Sequence, residues 1–290
     1  MQLGISLYSF NRALEAGALT AAGAVRKAAE FGAEHIELVD FCMPQDAAGL
    51  ADLHTALAET GLFVSALSTG ADVLQTGAAY NSELARVCGR IDAAKGFGAS
   101  VVRIDLVGWD YTYDTCTIEL FQRDLPRLVA AAQHFADYAK PLGITITVEN
   151  HGMFINGGDR VRQLIKAVDR DNYRCTLDIG NSLCVDEDAV VCTRKLLPYV
   201  AIVHAKDFYV RRADDARFQN REATGWFTSV HDTLLRGAIA GDGEVDIPAV
   251  LAMLRKAGYD GTLALEFEGI EDCLLGARAG LANLRAMLKK

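Results

Sequence analysis

The chain has 290 residues, 51% of them hydrophobic and 23% charged, with 26 glycines against 5 prolines. That composition fits an ordinary soluble protein and a length that allows either two small units or one barrel of roughly 250 residues. Lysine and arginine total 29 against 38 acids, so a diffuse nucleic-acid or anionic-membrane interaction would have to overcome a formal charge of -9, and both are set aside.

Short runs rich in valine, isoleucine, threonine and aromatics recur along the chain, each followed by an alanine- and leucine-rich stretch with helical spacing. The expected strands are Leu3 to Phe10, His35 to Asp40, Phe63 to Thr69, Val101 to Leu106, Ile144 to Asn150, Arg174 to Gly180, Val200 to Phe208 and Thr262 to Gly269. Glycine turns such as Phe31-Gly32-Ala33, Thr60-Gly61 and Phe97-Gly98-Ala99 close several of the intervening helices. Eight βα units with no linker between them predict an α/β fold, a single-domain (β/α)8 TIM barrel spanning residues 1–290. The segment between Phe208 and Pro248, after the seventh strand, reads as one long irregular loop close to the site.

Several familiar chemistries are absent from the pattern. No Gly-x-Gly-x-x-Gly follows the first strand, which disfavours a dinucleotide fold, and no Gly-x-Ser-x-Gly elbow is present. Cysteines 42, 88, 116, 175, 184, 192 and 273 are an odd number with no Cys-x-x-Cys pair, which points to reduced thiols. With no leader-like start and no run of ~18 apolar residues, the expected location is the cytoplasm.

Active sites of barrels are assembled at the C-terminal ends of the strands. There, Ile144 to Val148 leads into Glu149-Asn150-His151, and Thr176-Leu177 ends in Asp178. Val200 to Val203 leads into His204-Ala205-Lys206-Asp207, and Leu263 to Leu265 into Glu266-Phe267-Glu268. Alternation puts Glu149 with His151, His204 with Lys206, and Glu266 with Glu268 on shared faces. Carboxylates gathered in a barrel mouth cost several kcal/mol each or take up protons unless a cation neutralises them. Three carboxylates with one imidazole suit Mn²⁺ first, with Mg²⁺ or Co²⁺ as alternatives, better than structural zinc.

In this order and on successive strands, Glu149-Asn150, Asp178-Ile179-Gly180-Asn181, His204-Ala205-Lys206-Asp207 and Leu265-Glu266-Phe267-Glu268 resemble the xylose-isomerase-like superfamily of sugar isomerases and epimerases. Ile36-Glu37-Leu38, Val102-Arg103 and Gly241-Asp242-Gly243-Glu244-Val245-Asp246 add to the likeness, which covers nearly the whole chain. The resemblance implies one divalent metal held by Glu149, Asp178, His204 and Glu266, with Glu149 and Glu266 as the acid/base pair. Glu268 reads as an acid that orients a ligand, and as the substitute for Glu266. Where many members carry a histidine three residues after the metal-binding aspartate, this chain has Asn181, a departure that bears on the substrate rather than the metal.

His151, Asn181, Lys206, Arg103 and Trp109 are the candidate substrate-binding residues. His151 either contacts substrate or is structural, and Lys206 either steadies a developing oxyanion or pairs with Glu268 or Asp178. Arg103 and Glu37 either pair with each other inside the barrel or reach substrate hydroxyls. Trp109, Tyr111 and Tyr113 can form an apolar wall for a sugar, with Trp226-Phe227 closing over it, or can simply anchor loops. Arg211, Arg212, Arg217 and Arg221 suit a phosphate, or are a solvated charge run. His35, His54, His134 and His231 receive no function.

The expected activity is metal-dependent isomerisation or epimerisation of a keto-sugar or sugar phosphate through an enediolate, within carbohydrate metabolism. The alternative is β-elimination from a keto-inositol or related keto-sugar, as in inosose dehydratases. Apurinic-site endonucleases share the barrel but need more histidines, and a non-catalytic sugar-binding subunit would not need both glutamates. The expected partner is a small sugar, with no nucleic acid and no membrane. From the resemblance alone, a homodimer or homotetramer is expected.

Overall fold

The computed structural model of the protein describes residues 1–108, 111–212, 214 and 222–289. Strands β1 (Gln2–Ser6), β2 (His35–Val39), β3 (Phe63–Gly70), β4 (Val101–Asp105), β5 (Thr145–Glu149), β6 (Tyr173–Asp178) and β7 (Val200–Ala205) come first. They are followed by β8 (Asp207–Arg212), β9 (Phe227–Thr228), β10 (Thr233–Ala238) and β11 (Thr262–Leu265). β1 to β7 and β11 close in parallel in the order β1-β11-β7-β6-β5-β4-β3-β2. The eight-stranded TIM barrel expected from the sequence is therefore present.

A short α1 (Asn11–Glu15) precedes α2 (Ala21–Glu30), α3 (Ala47–Thr60), α4 (Gly77–Gly96) and α5 (Ile118–Ala139). These are followed by α6 (Gly158–Val168), α7 (Ala189–Leu196), α8 (Ile247–Lys256) and α9 (Cys273–Leu288). Several of their starts are set by side chains that accept otherwise unpaired amides: Asp46 from Gly49, Thr117 from Leu120, Asp188 from Val191 and Asp272 from Leu275. Gly61 ends α3 at φ 69°, a left-handed turn in which a side chain would be strained.

The helices from α2 onward each bury residues, and the long ones bury a stripe against the outer face of the barrel. In α5, Phe121, Leu128, Ala132 and Phe135 are buried, with the three-to-four-residue recurrence of one helical face. Every such Leu or Phe contributes roughly 1.5–3 kcal/mol on leaving water. The barrel interior differs, for it is rich in polar groups. Thr147 and Thr176 share a hydrogen bond of 2.7 Å there, and Glu37 on β2 reaches His204 on β7, although two strands separate them in the sheet.

Four strands end two or more residues earlier than the sequence suggested. β1 stops at Ser6 and turns into a 3-10 helix over Leu7–Phe10, β6 stops at Asp178, and β11 stops at Leu265. The run from Val200 to Phe208 is not one strand: β7 ends at Ala205, and Asp207 opens a different sheet. Among its described residues, the segment from Phe208 to Pro248 correspondingly contains regular structure. β8, β10 and β9 form a three-stranded antiparallel sheet, with Leu235 facing Val210 on one side and Phe227 on the other.

This excursion is tied down by Asp207. Its buried carboxylate accepts backbone N–H groups from Phe208 at 2.8 Å, Gly241 at 2.8 Å, Gly243 at 3.0 Å and Val245 at 3.1 Å. The sequence run Gly241-Asp242-Gly243 is thus the returning chain folded around one side chain, and any side chain at Gly243 would collide with that carboxylate. All seven cysteines are free thiols. No described helix is long and apolar enough to cross a membrane.

Candidate metal centre

Glu149 and Asp178 are the last residues of β5 and β6, His204 is one residue from the end of β7, and Glu266 follows β11 directly. Parallel pairing sets their height: Asp178 and His204 are register partners, and the Glu266 amide bonds to the Ala205 carbonyl at 3.0 Å. All four side chains are buried, and one donor atom from each lies within 4.8 Å of the others. His204 Nδ1 is 3.1 Å from Glu149 Oε1 and 3.5 Å from Glu266 Oε1.

The surrounding bonds leave the donors aimed at a common point. Asp178 Oδ1 accepts the amides of Gly180 at 2.7 Å and Asn181 at 2.8 Å, which fixes the carboxyl group. Asp178 Oδ2 is buried and has no hydrogen-bond partner among the described residues. Burial accordingly pushes the Asp178 pKa up, with Lys206 working against it. A carboxylate oxygen in that condition needs a cation or a proton. Three hard oxygen donors and one imidazole fit a divalent ion of the Mn²⁺ or Mg²⁺ type. For Glu266, burial alone would raise the pKa, but His204, Lys206 and Arg103 together outweigh it and hold the group ionised.

The remaining expected site residues gather around this quartet. Asn181 donates to Glu149 Oε1 at 3.3 Å and accepts from Lys206 at 3.1 Å. Lys206, only 2% exposed, stands 3.2 Å from both Glu266 and Glu268 and 3.7 Å from Asp178. Glu268 is therefore a partner of Lys206 and stands outside the four-donor cluster. His151 Nδ1 lies 3.1 Å from Asp105 Oδ2. A cavity of about 350 Å³ opens beside these groups, lined by Tyr8, Val39, Phe41, Arg103, His151, Lys206 and Glu266.

Two expectations need correction. Arg103 and Glu37 do not pair with each other. Arg103 binds Glu149 directly and lies 3.1 Å from Asp105, a neighbour two residues along β4. Glu37 instead lies 3.0 Å from His204 Nε2 and accepts from Ser68 Oγ. With Nδ1 facing the cluster and Nε2 facing a carboxylate, His204 is oriented as metal-ligating histidines usually are. Glu37 was visible in Ile36-Glu37-Leu38, but nothing local in that run announces a partner on β7.

The aromatic wall is also placed differently. Trp109 lies outside the described residues. Tyr111 stacks on Phe154 at 4.3 Å, and Tyr113 meets the His231 ring edge-on. Trp226 is buried beside Arg211 and Arg236. The rings lining the cavity are Tyr8 and Phe41, which sequence reasoning passed over; Phe41, 66% exposed, follows the second strand directly, and that position was the available signal. Of the loop arginines, Arg211 pairs with Glu244 and Arg212 with Asp214, while Arg217 and Arg221 lie outside the described residues.

Over residues 25–289 the chain matches the family described as xylose isomerase-like TIM barrel. The chain belongs to that family. Among curated relatives it is 22% identical to an inosose dehydratase of Lacticaseibacillus casei, over 49% of this chain and 46% of that enzyme, so the match spans less than half of the relative's length. The fold is similar to that of the probable 3-DHS dehydratase of petrobactin synthesis from Bacillus anthracis, with TM-score 0.74, 17% identity and 98% and 99% of the two chains covered. It is likewise similar to the D-psicose 3-epimerase of Clostridium cellulolyticum H10 solved with D-tagatose, with TM-score 0.73, 16% identity and 99% of each chain covered. Proteins similar to this chain thus include an epimerase and dehydratases, and the buried acidic and histidine cluster of this family member could hold a metal.

Proposed function

We infer that this chain is a divalent-cation-dependent enzyme that labilises the hydrogen next to the carbonyl of a keto-sugar, with Glu149 and Glu266 as acid and base. The observation that carries the reading is the convergence of Glu149, Asp178, His204 and Glu266, with Asp178 Oδ2 buried among them without a hydrogen bond and with Lys206 Nζ 3.7 Å away. A divalent ion held by these four groups supplies Lewis-acid stabilisation of the enediolate that appears as the proton leaves.

The chain's own groups divide the remaining work. Glu149 and Glu266 approach from β5 and from the end of β11, with β6 and β7 between them in the barrel. That separation lets one glutamate take the proton from one face of the carbon and the other return it on the opposite face, inverting the centre. Lys206 borders the cavity, held by Asn181 as its acceptor, and its fixed ammonium stabilises oxygen charge that grows only in the transition state. Tyr8 and Phe41 offer apolar surface to the C–H side of a sugar ring. The substrate this favours is unphosphorylated. Among the described residues, Arg103 and Lys206 are already bonded to carboxylates, and Glu37, Asp105, Glu149, Asp178, Glu266 and Glu268 outweigh them in charge.

Elimination of water from a keto-cyclitol is the second reading, supported by the dehydratases among the relatives; it starts from the same enediolate. An endonuclease reading has less support. Only His151 and His204, of the six histidines, stand at the cluster.

The test is incubation of the Mn²⁺-loaded protein in D₂O with ketohexoses, pentuloses and inososes. Deuterium at the α-carbon with inversion supports the epimerase, and formation of an enone supports the dehydratase. Glu149→Gln and Glu266→Gln are each expected to slow exchange by about 10²–10⁴-fold. Absence of exchange and of elimination with every substrate overturns the reading.

A further inference from the structure

Glu149 points its two carboxylate oxygens at different neighbours. Oε1 faces the quartet, 3.1 Å from His204 Nδ1 and 3.3 Å from Asn181 Nδ2. Oε2 faces a second group of potential donors, Asp105 and His151, which with Glu149 again fall within 4.8 Å of one another. Arg103 stands among these three. Its Nη2 is 3.1 Å from Asp105 Oδ2, and its Nη1 bonds Glu149 Oε2 and lies 3.3 Å from His151 Nδ1. The guanidinium meets every donor of the second group, and Arg103 is only 6% exposed.

A carboxylate with one oxygen in each of two adjacent donor sets is how a pair of divalent ions can be held ~3.5–4 Å apart. Here one of the two places is taken by a cation that is part of the chain. Arginine is suited to that role, because it stays protonated at any working pH and its planar fork matches two carboxylates at once.

We propose that Arg103 is a built-in second cation: it fills the place formed by Asp105, Glu149 and His151, excludes a second divalent ion, and limits the centre to one exchangeable metal. The proposal rests on the reading of the first centre given above. Its physical basis is charge balance. Removing the guanidinium takes the arginine partner from Asp105 Oδ2 and from Oε2 of Glu149, the oxygen turned away from the first centre, and a buried pair of this kind beside an imidazole recruits a cation or protons. The vacated volume is that of a large side chain, and all three remaining donors are of types that bind Mn²⁺.

The experiment is metal stoichiometry. Wild-type protein and Arg103→Ala are loaded with excess MnCl₂, freed of unbound metal by gel filtration, and analysed for manganese per chain and by electron paramagnetic resonance. Wild type is expected to hold about one ion and Arg103→Ala about two, the second showing exchange coupling through the shared carboxylate. Arg103→Lys keeps a positive charge in the same place and is expected to remain at about one. If Arg103→Ala does not fold, Arg103→Gln, which removes the charge but keeps polar contacts, carries the same expectation. Two ions in the wild type, or a single uncoupled ion in the folded neutral variant, overturns the proposal and leaves the first centre standing. No ion in either protein overturns both.

Discussion

Glu37 holds the far nitrogen of His204, and the consequence is measurable in metal affinity rather than in fold. With Nε2 lying 3.0 Å from the Glu37 carboxylate, a metal bound at Nδ1 would leave the ring proton on Nε2, facing that carboxylate. Glu37→Leu is therefore expected to weaken Mn²⁺ binding by about 10–100-fold in calorimetric titration, whereas Glu37→Gln, which retains an acceptor for the Nε2 proton, loses less. Equal affinities in all three proteins would show that Glu37 is only filling space. At this scale, Glu149, Asp178, His204 and Glu266 were legible because each ends a strand-like run in a group that has no reason to be buried. Glu37 and Asp105 were not assigned their partners, because those contacts depend on which strands face one another across the barrel.

The excursion after β7 shows what a single buried acceptor can organise. Asp207 gathers four backbone amides, one from Phe208, the next residue of β8, and three from the chain that leads into α8. In Asp207→Ala those amides lose their acceptor in a buried place, at about 1–3 kcal/mol for each one that water cannot reach. The expected result is a loss of at least about 3 kcal/mol in urea unfolding, with Asp207→Asn losing less because its carbonyl oxygen still accepts. A variant as stable as the wild type would mean that solvent replaces the carboxylate without cost. The sequence hid this element because Val200 to Phe208 reads as one strand-like run, and neither glycine nor proline marks Lys206 as the point where the chain changes sheets. The barrel strands and helices were easier to read, since their periodicity and caps are local.

Across the whole molecule, barrel closure places a titratable group in the seam. His35 opens β2, is fully buried, packs its ring near Phe63 and against the backbone of Gly4, and leaves Nδ1 without a partner among the described residues. Burial is the largest influence on it and lowers its pKa from the ordinary 6.5, with Gln2 and Glu37 opposing. The unfolded chain therefore binds a proton more readily than the folded one. The stabilisation from a neutral His35 is complete above the unfolded pKa and is lost as the pH falls through that value toward the folded one. The melting temperature is expected to fall as the pH is lowered from about 7 to about 5, and to fall less steeply in His35→Gln. Identical slopes for the two proteins would assign the acid sensitivity to other groups.

By itself the sequence determined the number of βα units, and with it the closed parallel barrel, because hydrophobic period, helix caps and glycine turns act over a few neighbouring residues. It also determined which strand ends carry charge, because a run of buried residues that stops at an acid or a histidine is visible without coordinates. Only the tertiary structure decided the pairings: Glu37 with His204, Arg103 with Asp105 and Glu149, and Asp207 with the returning backbone. The reason is physical. Such contacts join residues 34 to 167 positions apart, or depend on which rotamer a crowded interior allows, and neither is encoded in local periodicity.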